Sequence, residues 1–97
     1  MIKRIVKMTF EPGAGPTFLD LFYRSAPHIR AFPGCLHLEL LRASDPENIF
    51  FTFSFWTDEE ALQAYRQSEL FAGTWSNTKK LFSDQPEAWT VQLEALL

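Results

Sequence analysis

The sequence predicts an α+β fold in which helices cover one face of a four-stranded antiparallel sheet. Four segments alternate large apolar and smaller or polar residues with the period of a β-strand. Segments of helical period separate the first strand from the second and the third from the fourth. The order strand, helix, strand, strand, helix, strand, with both crossovers right-handed, is that of a ferredoxin-like βαββαβ sandwich.

The first half of the chain contains one crossover. A strand is predicted over 2–10, with Arg4, Val6 and Met8 on one face and lysines on the other. The stretch "EPGAGP" ends it. A helix over 16–31 follows, with a proline at its first position, which suits that place. Pro27 lies late in this helix and is expected to kink it.

The second half begins with a hairpin and then contains the other crossover. The turn "FPG" precedes one strand, and "SDPEN" joins it to the next as a hairpin. "TDEE" has the pattern of a capping box, with Thr57 as the cap and Glu60 three residues later. A serine then begins a second helical segment. The predicted ranges are strand 35–43, strand 49–56, helix 57–67, helix 68–82 and strand 88–96.

Composition limits the class of protein. The chain has 97 residues, enough for one domain over 1–97. Its formal charge is −3 and its cations are scattered, which argues against nucleic-acid binding. No apolar run approaches the ~20 residues of a membrane span, and no signal peptide is evident. With a single cysteine and no targeting segment, we expect a cytoplasmic protein without intrachain disulfides.

Aromatic content indicates that both faces of the sheet are covered. Aromatic residues make up 15% of the chain, and ten of them are Phe. Helices can cover only one face, which leaves either the Phe51–Phe55 row or the Trp56 row on the other. We therefore predict a homodimer through the exposed sheet face. We expect Leu36, Leu38 and Leu40 to face the helices, and His37 to face the partner chain.

Three stretches carry a resemblance to a known family. "FPGCLHLEL", "FFTFSFWTDEEALQAYRQSELF" and "TWSNTKKLF" resemble the antibiotic biosynthesis monooxygenases, and the likeness covers nearly the whole chain. The resemblance implies a dimeric α+β barrel. It also implies two possible activities, which are cofactor-independent oxidation of aromatic polyketides or quinols and haem degradation. Many members of the family have no known reaction.

The haem-degrading branch of the family has a residue pattern that can be compared. It places an Asn in the first strand, a Trp in the helix after the third strand and a His ten residues later. Those positions correspond to Val6, Tyr65 and Trp75 in this chain. Indole has no free lone pair for iron, so the haem-degrading mechanism is not expected.

Candidate site residues follow from side-chain chemistry. Tyr65 and Trp75 carry polar tips on aromatic rings, which suits a pocket for a flat aromatic substrate. A structural role in the core is an equally weighted alternative. For a catalytic site we assign Tyr65, His37 and Trp75, and for substrate binding Trp56, Arg24 and Phe71.

For the two histidines and the single cysteine, the sequence favours structural roles. His37 and Glu39 share a strand face and form either a base with its orienting acid or, by our preference, a structural pair. His28 has no companion metal ligands, and Cys35 has no neighbouring base, so a surface and a buried position are expected. No dinucleotide or phosphate-loop motif is present, and we predict no cofactor and no metal.

The sequence thus predicts a monooxygenase that oxidises a small aromatic, quinol-like or polyketide-like, with O₂ and without a cofactor. Two alternatives remain open at this point. One is a non-enzymatic protein that binds a hydrophobic small molecule. The other is a stress-related dimeric domain whose aromatic residues are only core and interface, without a pocket.

Overall fold

The computed structural model describes all residues 1–97 and has the predicted architecture. Its strands form one antiparallel sheet in the order β2-β3-β1-β4. The second helical segment is divided in two, as the serine cap predicted. The elements are β1 (Ile2–Thr9), α1 (Gly15–Arg30), β2 (Cys35–Arg42), β3 (Ile49–Trp56), α2 (Glu59–Arg66), α3 (Glu69–Lys79) and β4 (Glu87–Val91).

Several boundaries differ from the prediction, among them the end of α3 at Lys79 rather than residue 82, and two of the differences have a clear physical cause. The cap of α2 is Asp58, not Thr57: Asp58 is extended, and its carboxylate accepts a hydrogen bond from the Ala61 N–H at 2.8 Å. The Thr57 N–H is instead bound to the Gly34 carbonyl, which keeps Thr57 in the loop. β4 ends at Val91 rather than residue 96, because Val91 pairs with Lys3 and β1 has only one strand residue left beyond it.

The helices pack on one face of the sheet through two separate aromatic clusters. In the first, the fully buried Phe10 lies 4.3 Å, centroid to centroid, from Phe18 of α1 and 5.6 Å from Phe50 of β3. In the second, Trp56 and Cys35 pack with Ile2 and Leu62. Even-numbered residues of β1 and β3 therefore face the helices, and odd-numbered ones face away.

The expectation for the leucines of β2 is confirmed for two of the three. Leu38 and Leu40 lie on the helix side, where Leu40 packs against the Phe10 cluster. Leu36 is 45% exposed, because a register shift between Cys35 and His37 interrupts the alternation at this point. α1 continues past Pro27 to Arg30, so the proline falls in its last turn.

Gly34 connects the loop before β2 to α2. Its φ is +90°, and a Cβ placed there would lie 2.4 Å from the Cβ of Ala61. We expect Gly34→Ala to lower the free energy of unfolding by about 2 kcal/mol or more, since backbone strain and overlap act together. Gly13→Ala is the matched control: its φ is +87°, but its Cβ would meet nothing within 4 Å. Urea unfolding of both variants checks this, and equal losses would mean that the contact with Ala61 contributes nothing.

Candidate functional site

A cavity of about 280 Å³ lies between the helices and the inner face of the sheet. It exists because β3 places its large side chains at the two ends of that face. Phe50 and Trp56 fill the two aromatic clusters, whereas Thr52 and Ser54 between them are too small to fill the middle. Apolar side chains from β1, β2, α1 and α3 form most of the remaining wall, among them Val6, Leu38, Phe22 and Phe71.

An unbroken series of aromatic rings forms one side of this cavity. Trp56 stacks on Tyr65 with ring centroids 5.0 Å apart, and Tyr65 meets Phe71 edge-on at 5.3 Å. Phe71 in turn stacks on Trp75 at 5.9 Å with an interplanar angle of 13°. The structure therefore brings together four of the six residues assigned from sequence, and all four line the cavity.

Two polar groups in this series have no partner within the chain. The indole N–H of Trp56 donates to the Ser54 hydroxyl at 3.0 Å. The Tyr65 hydroxyl and the Trp75 indole N–H make no such bond, yet no unpartnered side-chain N or O atom of the chain is buried away from solvent. Both polar atoms are thus accessible to solvent and free to donate a hydrogen bond, and both residues belong to the cavity lining.

Burial moves the pKa of Tyr65 further above physiological pH. Removal from water, with a smaller contribution from Cys35, raises the pKa of the phenol to about 12. The hydroxyl is therefore neutral at physiological pH. In this form the hydroxyl can donate a hydrogen bond.

The other two assigned residues lie elsewhere. His37 is on the outer face of the sheet, where its Nε2 is 2.6 Å from Glu39 Oε2 and its ring lies 4.6 Å from that of Phe55. Arg24 is exposed on α1 and pairs with Asp20 at 2.8 Å. Neither residue lines the cavity, because strand alternation turns His37 away from it and the helical position of Arg24 directs its side chain to solvent.

Two cationic residues line the cavity that the sequence assignment did not include, Arg4 and Arg66. The Arg4 Nη1 donates to the Thr90 hydroxyl at 3.0 Å. The pKa of Arg4 is lowered, chiefly by burial and then by the positive charge of Arg66, against a smaller opposing effect of Glu59. The sequence of β1 contained a signal that Arg4 faces the interior, because strand alternation puts Arg4 on the same sheet face as the buried Met8.

The remaining candidates have the structural positions expected. Cys35 is buried, and burial raises the pKa of its thiol, which keeps it protonated. His28 is exposed in the last turn of α1. No three His, Cys, Asp or Glu side chains lie close enough together to hold a metal ion.

The three positions compared with the haem-degrading pattern converge on one place. Val6, Tyr65 and Trp75 all line the cavity, although they come from β1, α2 and α3. The three positions that form the haem-degrading pattern therefore lie in a single site of this protein. That site has no imidazole in its lining.

Fold and site together define a ferredoxin-like α+β protein with an internal aromatic cavity. The family model described as antibiotic biosynthesis monooxygenase matches residues 1–74. The chain belongs to this family.

Solved structures share the fold at low sequence identity. One is an antibiotic biosynthesis monooxygenase, with a TM-score of 0.91 and 20% identity over 98% of this chain and 100% of the other. A cofactor-independent oxygenase from Streptomyces nogalater, SnoaB, in a mutant form, has a TM-score of 0.88 and 23% identity over 99% and 95%. A conserved protein from Methanosarcina mazei Go1 has a TM-score of 0.89 and 16% identity over 94% and 90%. No curated protein matches the chain.

None of the helices is both long and apolar enough to cross a lipid bilayer.

Proposed function

We propose that the protein is a monooxygenase that oxidises a small aromatic, quinol-like or polyketide-like substrate with O₂ and without a cofactor. The cavity with its two free donors, Tyr65 and Trp75, is the observation that carries this proposal. Its volume of about 280 Å³ is close to the lower end of the range for small-molecule sites. The fold shared with SnoaB, described as a cofactor-independent oxygenase, adds support.

The reaction suits a cavity of this kind. For an anthrone-type substrate, the ionised form shares its negative charge between a ring oxygen and a ring carbon. It gives one electron to O₂, and the resulting carbon radical and superoxide combine into a C–O–O⁻ group. Proton uptake, loss of the second C–H proton and cleavage of the O–O bond then yield a carbonyl and water. The ring CH₂ and O₂ are thereby converted to C=O and H₂O, and O₂ receives the four electrons that the carbon loses.

Residues of the cavity assist specific steps. The Tyr65 and Trp75 donors can stabilise negative charge on the substrate oxygen and on the forming peroxide. The apolar wall excludes water from the reacting carbon. The lining contains no carboxylate, imidazole or thiol, so the proton of the substrate leaves without a protein base inside the cavity.

Oxygen consumption tests the proposal. Metal-stripped protein is mixed with a panel of anthrones and hydroquinones, and O₂ uptake is followed with an oxygen electrode. We expect uptake that saturates with substrate and exceeds the rate of autoxidation in protein-free buffer. Product analysis after reaction in ¹⁸O₂ should show one labelled oxygen in the product. The absence of uptake with every member of the panel would contradict the proposal.

A binding protein for a hydrophobic small molecule is the second candidate. The absence of a base from the cavity lining favours it, since binding requires none. Saturable binding of the panel compounds without O₂ consumption would identify it. The third interpretation, a domain without a pocket, conflicts with the cavity.

We also propose that the outer sheet face forms a homodimer. Its central row runs Glu39, Phe53, Ile5, Trp89 across all four strands, and Trp89 is 46% exposed in the single chain. Phe53 and Phe55 pack edge-on at 5.1 Å, and both lie under Lys3. An apolar centre with charges at its rim is typical of a protein interface. The cytoplasmic location expected from the sequence remains a prediction.

A further inference from the structure

Arg4 and Arg66 bring two positive charges to a cavity whose other lining side chains are uncharged. Arg4 is half-buried on β1, and Arg66 is exposed in the last turn of α2. Since the exposed residues Arg66 and Ala88 belong to the lining, the cavity opens between the end of α2 and β4. The two guanidinium groups therefore lie where a ligand would enter.

Neither guanidinium group has an anionic partner in the chain. The ion pairs are Lys7 with Glu87, Arg24 with Asp20 and His37 with Glu39, and all lie away from the cavity. Glu59 forms no ion pair with Arg4, and its electrostatic effect on the pKa of Arg4 is smaller than that of Arg66. Arg4 uses one donor on the neutral Thr90 hydroxyl, so most of its five N–H groups are not engaged by a side-chain oxygen.

We propose that Arg4 and Arg66 form an anion-binding subsite, and that the cavity takes an aromatic ligand carrying a negatively charged oxygen, either an ionised ring hydroxyl or a carboxylate. This proposal rests on the proposed function for the identity of the aromatic cavity as a substrate site. Two like charges beside an apolar wall cost free energy, and a bound anion relieves that cost. Guanidinium groups suit such a ligand because they offer parallel donors to oxygen.

The subsite also explains how the reaction can start without a protein base. Positive charge beside a ring hydroxyl favours the ionised form and lowers the pKa of the bound hydroxyl. The proton then goes to water at the opening, next to the exposed Arg66. The negatively charged substrate is the electron-rich form that reduces O₂.

Paired ligands test charge preference without any turnover. Binding of 1-naphthoate and of its neutral analogue 1-naphthamide is measured by calorimetry. We expect naphthoate to bind about tenfold more tightly to the unmodified protein, and the preference to fall several-fold in Arg4→Met and in Arg66→Met. Arg24→Met is the matched control, since it removes a cation outside the cavity and should leave the preference unchanged. Thermal unfolding verifies that each variant is folded, and Arg66→Met alters only an exposed position.

A second arm separates the two anion sources. The absorbance of 4-nitrophenol reports its ionisation directly, so its pKa is titrated with and without protein. A pKa lowered on binding, and restored in Arg4→Met and Arg66→Met, supports a site for ionised hydroxyls. Preference for naphthoate without that change supports a site for carboxylates.

The outcomes for the subsite and for the proposed function are distinct. Equal affinity for naphthoate and naphthamide, a preference that survives both substitutions, or no binding of either compound would overturn the subsite. Oxygen uptake together with a naphthoate preference that is unaltered in Arg4→Met and Arg66→Met would support the oxygenase and refute the subsite. A charge preference without oxygen uptake would leave the subsite and remove the oxygenase.

Discussion

Replacement of Phe53 by glutamate should convert the protein from a dimer into a monomer. Phe53 lies at the centre of the outer sheet face, between Ile5 of β1 and Glu39 of β2. In the dimer its new carboxylate would have to enter an apolar interface and lie near Glu39. Lys3 lies near this position, but the new carboxylate would still lose its water beside Glu39, which costs several kcal/mol. We therefore expect the dimer dissociation constant to rise by at least about a hundredfold.

Analytical ultracentrifugation over a concentration series measures this change. Tyr23→Glu is the matched control, because Tyr23 is an aromatic residue that is 69% exposed on α1 rather than on the sheet. It should leave the dimer intact. Both variants should keep their fold, since neither side chain belongs to the two buried clusters. A monomeric unmodified protein, or a dimer that survives Phe53→Glu, would refute the interface.

Replacement of Tyr65 by phenylalanine should lower kcat/KM by at least about tenfold, which corresponds to a loss of roughly 1.4 kcal/mol of transition-state stabilisation. The change removes one hydroxyl and keeps the ring. The stacking of this ring on Trp56 and its edge contact with Phe71 are therefore retained. Because the lost donor acts on developing negative charge, we expect kcat to fall more than affinity changes.

The pH profile provides a second test of this role. With a pKa of about 12, Tyr65 stays protonated as the pH rises, and its ionisation removes the donor only in strongly alkaline solution. Between about pH 6 and 10 the unmodified protein should therefore show no loss of rate assignable to Tyr65. Tyr23→Phe, at an exposed tyrosine outside the cavity, is the control. An unchanged rate in Tyr65→Phe would remove this residue from the mechanism.

The order of elements could be predicted because each depends on local signals. Alternation identified β3 at its observed bounds, and the cap at Ser68 correctly divided the second helical region, where its hydroxyl accepts from the Phe71 N–H at 3.1 Å. Local signals did not decide the start of α2, where two neighbouring residues can each act as the N-cap. Thr57 and Asp58 are both good caps, and the bond from Thr57 to the Gly34 carbonyl decided between them.

The candidate site was predictable in part, for a similar reason. Phe71 and Trp75 are four residues apart on α3, so helical spacing places them on a common side. Tyr65 lies on α2 and meets Phe71 only through tertiary packing. The expected position of His37 on the sheet face away from the helices is confirmed, and it is this position that keeps His37 out of the cavity. Alternation establishes that His37 and Glu39 share a face, but both faces of this sheet are apolar enough to be the inner one.

The sequence by itself determined the strand and helix order and the apolar character of both sheet faces, since these follow from periodicity, caps and turns. Only the tertiary structure decided what surrounds the cavity. Thr52 and Ser54 leave it open, His37 and Arg24 fall outside it, and Arg4 and Arg66 meet there from β1 and α2. The physical reason is distance along the chain: residues 4 and 66 have no local pattern in common, and packing of α2 over the sheet brings both to one cavity.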